Sequence, residues 1–485
     1  MTWRIFWFKD VLNGEQMPSV GQNRLEKCNR DGDKQEEDKM NERAEKILRS
    51  FRENKAYMED RVQSGIEANR KGFARFNVVD EQGNPVKNVS LKLRQKTHDF
   101  KFGANIFMLD ELETEEKNQQ YKERFAQLFN LATVPFYWTD LEPVQGKPRF
   151  AKDSPKVYRR PAPDLCLEYC EANHIEPKLH CLNYDQWSPM WLPNDVPTVK
   201  KYLDKRIAEI AERYADKIPS MEVINETQCS EHFHDYRHST LFFREPDIVE
   251  WSFEHARKYL PANELIINEA TSYCWTTGFK YNRSAYYMQI ERALAKGASI
   301  DTVGMQYHAF YKREVEEEKT KQLYDPKQLY RAMDQYSDFG KPLQVTEVTI
   351  PAYSWEIEDE EIQAEIITNL YKIWFSHPNM EAVIYWNLVD GYAAFAEQGD
   401  MTSGENYYHG GLLRYDLSPK PAFAALDELI NKTWRINLSA EALDGKLEVK
   451  GFYGEYEVEV SAEGKTAVTT VHLEKNADNR FTIVL

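Results

Sequence analysis

Met221-Glu222-Val223-Ile224-Asn225-Glu226 is the stretch on which the fold turns. Its apolar residues sit as in a strand buried inside a barrel. Pro219 and Ser220 mark its start, and it closes on an Asn–Glu pair before a polar, His-rich loop at 231–238. A carboxylate placed where an apolar strand runs out is poorly solvated, which suits it to hand over a proton near neutral pH. Pro342-Leu343-Gln344-Val345-Thr346-Glu347 repeats the design on a second strand. Two carboxylates on different strands are what acid-assisted glycosidic cleavage requires.

Outward from these two stretches, strands and helices alternate. Strand ends are expected near Phe107, Tyr137, Tyr184, Glu226, Ala270, His308, Glu347 and Asn387. Helical stripes fall between them: Val199, Leu203, Ile207, Ile210 and Tyr214 in one, Ile362, Ile366, Leu370 and Ile373 in another. Eight such units predict an α/β fold, a (β/α)8 TIM barrel over 99–433. The rival is an open doubly wound sheet, but no glycine-rich phosphate loop follows the first strand. Barrel chemistry gathers at the C-terminal strand ends, and the two glutamates stand at the fourth and seventh.

Both flanks differ from the barrel. Residues 1–70 read as an irregular N-terminal region followed by a charged helix, whose stripe of Met40, Ala44, Ile47 and Phe51 is expected to dock on the main domain. Residues 73–79 and 89–93 alternate around the turn chemistry of Asp80, Gly83, Asn84 and Pro85, which predicts a hairpin over 71–98. Residues 434–485 read as a small β module. The hairpin is expected to pack with it, since neither buries a core alone.

Composition narrows the function classes. The chain has 485 residues and a formal net charge of -17, which argues against nucleic acid or an anionic membrane as partner and suits a neutral substrate. Aromatic residues make up 13%, flat faces of which most are expected in the core and some can stack on sugar rings. The N-terminal apolar run stops after Phe8 and no small-residue cleavage site follows it. With six scattered cysteines, this predicts a cytoplasmic protein with free thiols.

The ordered motifs resemble glycoside hydrolase family 10, best known as endo-β-1,4-xylanases, over roughly 98–433. Val223 to Glu226 is similar to the family's acid/base strand and Val345 to Glu347 to its nucleophile strand. Lys178 to Leu182, with His180, resembles the third strand, and Val303 to His308 the sixth, which supplies Gln306 and His308 beside the nucleophile. Tyr385-Trp386 and the Gly411 and Pro419-Lys420-Pro421-Ala422 segments resemble the eighth strand and the closing helix. The resemblance implies a retaining mechanism with Glu226 as acid/base and Glu347 as nucleophile. It further implies that Asn225 bonds the sugar 2-hydroxyl, that His308 orients Glu347, and that His180 and Trp386 line the first sugar pocket. No cofactor is expected, and the implied partner is an oligosaccharide or β-glycoside.

The sequence also departs from the family pattern. The acidic-Asn and Lys-Trp groups that grip the next sugar are replaced around Pro135 and Tyr137, the third-strand Trp-His becomes Tyr184-Asp185, and the second tryptophan of the last loop falls near Ala394 or Phe395. Tyr137 and Tyr184 are therefore candidate substrate-binding residues of a rebuilt glycone side. This predicts weak action on polymeric xylan and better action on short or aglycone-bearing β-glycosides, xylosides first. His232, His234 and His238 have a spacing that suits a metal, but a retaining glycosidase needs none and no metal is expected. The Cys166–Cys170 pair reads as buried thiols, and Lys178 and Glu222 share strand parity with the site residues, as an internal pair would. The alternatives are a metal-dependent hydrolase, a non-catalytic glycan-binding barrel, and a β-glycosidase acting on a non-xylan glycoside.

Overall fold

The apolar strands of the central region run without polar alternation because both of their faces are covered, by helices outside and by packed side chains within. The computed structural model describes residues 42–229, 240–276 and 284–485. Two strands, β1 (Lys71–Val79) and β2 (Val89–Gln95), come before the barrel. The barrel strands follow as β3 (Lys101–Asn105), β4 (Leu131–Pro135), β5 (Glu176–His180), β6 (Ser220–Asn225), β7 (Glu264–Glu269), β8 (Thr302–His308), β9 (Leu343–Thr349) and β10 (Met380–Tyr385). Each pairs in parallel with the next, and β10 closes on β3 with Ala382 opposite Lys101 and Tyr385 opposite Ala104.

A helix follows each strand, as the stripes predicted. Val196–Tyr214 starts at Asp195, whose carboxylate accepts from the Thr198 N–H at 3.0 Å, and buries Val199, Leu203, Ile207, Ile210 and Tyr214. Ile357–Ser376 buries Ile362, Ile366, Leu370 and Ile373. Four observed strands stop two to four residues before the expected ends at Phe107, Tyr137, Tyr184 and Asn387. The chain there leaves the ladder but keeps burying its side chains over the barrel mouth, so the apolar pattern outlasts the strand.

Among the described residues of the N-terminal region, Ile47, Phe51, Met58 and Val62 join the main core; Met40 lies outside the described residues. The helix Lys55–Asn69 lies against Ile357–Ser376 so closely that a Cβ on Gly65 would stand 2.6 Å from the Ser376 carbonyl oxygen. Arg43 ties the start of this region to Glu316 and Asp359 at 2.9 and 2.7 Å.

The predicted hairpin over 71–98 does not form. β1 lies between β12 (Lys446–Phe452) and β15 (Arg480–Val484), whereas β2 lies between β11 (Asn437–Ala442) and β13 (Gly454–Ala462), which in turn pairs with β14 (Lys465–Leu473). The two neighbours in sequence thus enter separate sheets, and a second core of Phe76, Val78, Leu91, Leu93, Val458 and Val460 fills the space between. The turn at 80–85 is consistent with either outcome; the choice is made by the C-terminal strands, which give β1 and β2 two ladder partners each. Among the described residues no helix is long and apolar enough to cross a membrane.

Candidate active site

Glu226 directly follows β6, and Glu347 lies within β9; both side chains sit at the C-terminal mouth of the barrel. Glu226 adopts φ 54°, a left-handed conformation rare for a residue with a side chain, and its N–H donates to the Asn268 carbonyl at 3.1 Å. Its side chain is held between two donors: Gln306 Nε2 reaches one carboxylate oxygen at 2.8 Å and the Tyr184 hydroxyl reaches the other at 2.7 Å. Gln306 had been expected beside the nucleophile. It serves the other glutamate instead, because its amide points across the mouth from β8 toward β6 and also meets Asn225 Oδ1 at 3.3 Å.

Glu347 is 3% exposed. Asn268 Nδ2 donates to Oε1 and His308 Nε2 donates to Oε2, both at 3.0 Å. Burial pushes His308 down to about 4, so it is a neutral imidazole; Thr349 Oγ1 then donates to Nδ1 at 2.9 Å and leaves the Nε2–H for Glu347. Burial raises Glu347 above the usual carboxylate range. His180 and Lys178 act against that rise, while Glu222 and Glu226 add to it. Asn268 also donates to Asn225 Oδ1 at 2.9 Å and accepts from the Thr346 hydroxyl at 2.6 Å. An alanine at Gly304 would put its Cβ 2.7 Å from Asn268 Oδ1, so the glycine in β8 makes room for this amide. The two glutamates are thereby joined through Asn268, Asn225 and Gln306. Asn225 spends Oδ1 on that chain, and its Nδ2 has no hydrogen-bond partner among the described residues.

Beneath the glutamates lies a buried ionic group. Glu222 accepts from Lys178 Nζ through one oxygen and from His180 Nδ1 through the other. Burial opposes ionisation of Glu222, yet Lys178 and His180 hold it down at about 2. Burial likewise opposes charge on His180, but Glu222 and Glu347 outweigh it and raise the imidazole. His180 Nε2 meets the Tyr137 hydroxyl at 3.0 Å, so both ring nitrogens are engaged by protein groups. The residue expected to line the sugar pocket therefore also anchors the wall beside it. His180, Glu222 and Glu347 place ligand atoms within 4.8 Å of one another, a spacing that suits a metal ion. The Lys178 ammonium on Glu222 makes the same spot unfavourable for a further cation. The His232, His234 and His238 cluster lies outside the described residues.

Two aromatic surfaces flank the site. On the side of β3 to β5, Phe107, Tyr137 and Trp386 pack together, with Tyr137 5.8 Å from Phe107 and 4.7 Å from Trp187. The Arg160 guanidinium covers the Tyr137 ring at 4.0 Å and is paired with Asp140 at 2.8 Å. On the side of β8, Phe310 stacks on His308 at 4.5 Å and Tyr408 stands 5.1 Å from Phe310. Trp386 lies between the two, 5.5 Å from His180 and 5.7 Å from His308.

Sequence reasoning missed Asn268, Arg160, Trp187 and Phe310. Asn268 carried a signal: Asn268-Glu269 ends β7 with the same dipeptide that ends the β6 stretch. Glu269 is fully buried, and burial pushes it up to about 8. It accepts from the Gln228 N–H at 2.9 Å and the Thr227 hydroxyl at 3.1 Å, which fixes the turn behind Glu226. Arg160 sits in a loop and Trp187 in the 3-10 turn Asp185–Trp187, and no local pattern encodes their approach.

The sequence profile of Glycosyl hydrolase family 10 matches residues 90–429. Among curated proteins, anti-sigma-I factor RsgI6 from Acetivibrio thermocellus is 22% identical over 412 residues, 84% of this chain and 47% of that protein. Endo-1,4-beta-xylanase 2 from Arabidopsis thaliana is 22% identical over 429 residues, covering 86% and 34%. The chain spans less than half the length of these relatives. Among solved structures, xylanase 10B from Thermotoga petrophila in complex with xylobiose superposes with a TM-score of 0.54 at 19% identity, over 69% of this chain and 95% of that one. The intracellular xylanase TsXylA from Thermoanaerobacterium saccharolyticum gives 0.51 at 18%, over 67% and 95%. These structural likenesses are likenesses of fold; the profile match, which spans most of the chain and contains both glutamates and the network between them, decides kinship. The chain belongs to glycosyl hydrolase family 10.

Proposed function

We propose that the protein is a retaining β-glycoside hydrolase in which Glu347 is the nucleophile and Glu226 the acid/base. The observation that carries this reading is the shared hydrogen-bond chain Glu347–Asn268–Asn225–Gln306–Glu226, which ties two carboxylates of different strands into one unit at the barrel mouth. In the first step Glu347 forms a bond to the anomeric carbon, the glycosidic C–O bond breaks, and Glu226 gives its proton to the departing oxygen. In the second, Glu226 takes a proton from water, whose oxygen displaces Glu347. The His308 Nε2–H and Asn268 Nδ2–H orient the nucleophile, and the unengaged Asn225 Nδ2 suits a sugar 2-hydroxyl.

The substrate follows from the flanking surfaces. Tyr137 fills the glycone side with a ring fixed by His180, Trp187 and Arg160, which supports short β-glycosides, xylosides first, over polymeric xylan. The relatives named as xylanases support a β-1,4-xylosidic linkage. The described cysteines form no disulfide, which supports a cytoplasmic setting.

Azide tests the assignment. Glu347→Ala abolishes turnover, and azide restores it as an α-glycosyl azide. Glu226→Ala keeps activity on substrates with good leaving groups, and azide then gives the β product. Equal loss in both variants on every leaving group, without rescue, would overturn the roles.

A further inference from the structure

Arg70 ends the helix Lys55–Asn69 and lies under the barrel floor, at the junction of that helix, the barrel and the C-terminal sheets. It is 9% exposed and packs over Phe100 and Phe375 at 4.7 and 5.3 Å. Nε and Nη2 donate to the carbonyls of Phe375, His377 and Met380. No carboxylate of the described residues lies within 4.0 Å of it, and its Nη1 has no hydrogen-bond partner among them. Beside it is a cavity of about 360 Å³ whose lining includes Arg70, Lys341, Lys475, Asn379, Tyr453 and Glu381. Lys341 and Lys475 also form no ion pair among the described residues.

The acids that border this cavity do not balance it. Asp99 is a single carboxylate, turned toward the exposed His472 at 2.7 Å. Burial and the adjoining Glu264 push the Glu381 carboxyl up to about 8, so it is largely uncharged at neutral pH. Burial holds His98 down at about 4, hence neutral. Three cations thus converge on one cavity of a chain whose net charge is -17. The carbonyls at the end of the helix Ile357–Ser376 explain how Arg70 is oriented. They do not explain why Lys475 approaches it, since the two are like charges and burial together with Arg70 lowers the Lys475 ammonium. Arg70 is buried, Lys341 half-buried and Lys475 exposed, so the buried guanidinium gains most from an anion entering the cavity.

We propose that this cavity binds an oxyanion of the phosphate or sulfate type through Arg70 Nη1, Lys341 and Lys475. The site lies at the opposite end of the barrel from the glutamates and does not depend on the catalytic reading. Planar guanidinium and mobile ammonium groups are the donors that recognise such an anion.

The test uses the full chain, titrated with inorganic phosphate by calorimetry and by thermal melting, with sodium chloride holding ionic strength constant. The expected result is saturable binding of one phosphate with a rise in melting temperature. Lys341→Gln/Lys475→Gln weakens it about tenfold or more. That variant changes only side chains without ion pairs among the described residues, and its own melting curve verifies that it folds. Arg70→Met, which carries more risk to folding, is a second arm. A sugar monophosphate titrated in parallel identifies the source: tighter binding than phosphate assigns the site to phosphorylated sugars, and equal or weaker binding assigns it to the free ion. Absence of saturable binding, or binding of the same strength in the double lysine variant, overturns the proposal.

Discussion

Glu222→Gln separates the electrostatic work of the buried ionic group from its structural work. The substitution keeps the shape of the side chain and removes one charge from a group in which His180, Glu222 and Glu347 lie within 4.8 Å. Two unit charges at that separation, with an effective dielectric of about 20, interact by roughly 3.5 kcal/mol. At about 1.4 kcal/mol per unit, this repulsion raises Glu347 by ~2.5 pKa units. Part of the relief is lost again, because Glu222 also raises the His180 imidazole, and without Glu222 that ring is a weaker cation beside Glu347. Lys178 remains and takes Glu347 as its counter-ion. The net expectation is a fall of about one unit in the folded-state pKa of Glu347. Activity needs Glu347 ionised, so the acid limb of kcat/KM moves to lower pH by that amount. Stability moves the other way: breaking a buried pair costs about 3–5 kcal/mol, and the new Lys178–Glu347 contact offsets only some of it. The assay is a pH–rate profile on an activated aryl β-xyloside, with denaturant melts run at the same pH values. A less stable variant whose acid limb stays in place or moves upward would show that Glu222 does not govern the ionisation of the nucleophile.

The remaining predictions concern the wall and the docked helix. Tyr137→Ala removes a buried ring and is expected to cost about 3–5 kcal/mol of stability, while raising kcat/KM for xylotetraose relative to an aryl xyloside. An unchanged ratio between the two substrates would show that Tyr137 does not close the glycone side. Gly65→Val drives a side chain into the Ser376 carbonyl and is expected to loosen the helix Lys55–Asn69 from Ile357–Ser376. Hydrogen exchange in that helix should rise while barrel amides stay protected, and uniform protection would refute the close contact as the docking determinant.

The sequence alone determined the barrel and marked two glutamates on its strands as candidates. Strand and helix periodicities are local, and a carboxylate ending a buried strand is visible wherever the strand is, which is why Glu226 and Glu347 stood out from a chain with many other acids. The stripe from Val199 to Tyr214 was legible for the same reason: one face of one helix must be covered whatever covers it. Partner choice was decided only by the tertiary structure. β1 and β2 read as a hairpin because a turn lies between them, yet strands more than 300 residues further on took one each into separate sheets. Gln306 carried no mark showing which glutamate its amide would reach, and nothing local to His180 told that Glu222 and Tyr137 would engage both of its nitrogens. Arg70, Lys341 and Lys475 are ordinary charges in sequence; only the packing of helix, floor and sheets brings them to one cavity. Local patterns specify which face of an element is buried, and the contacts across that face depend on where the rest of the chain comes to lie.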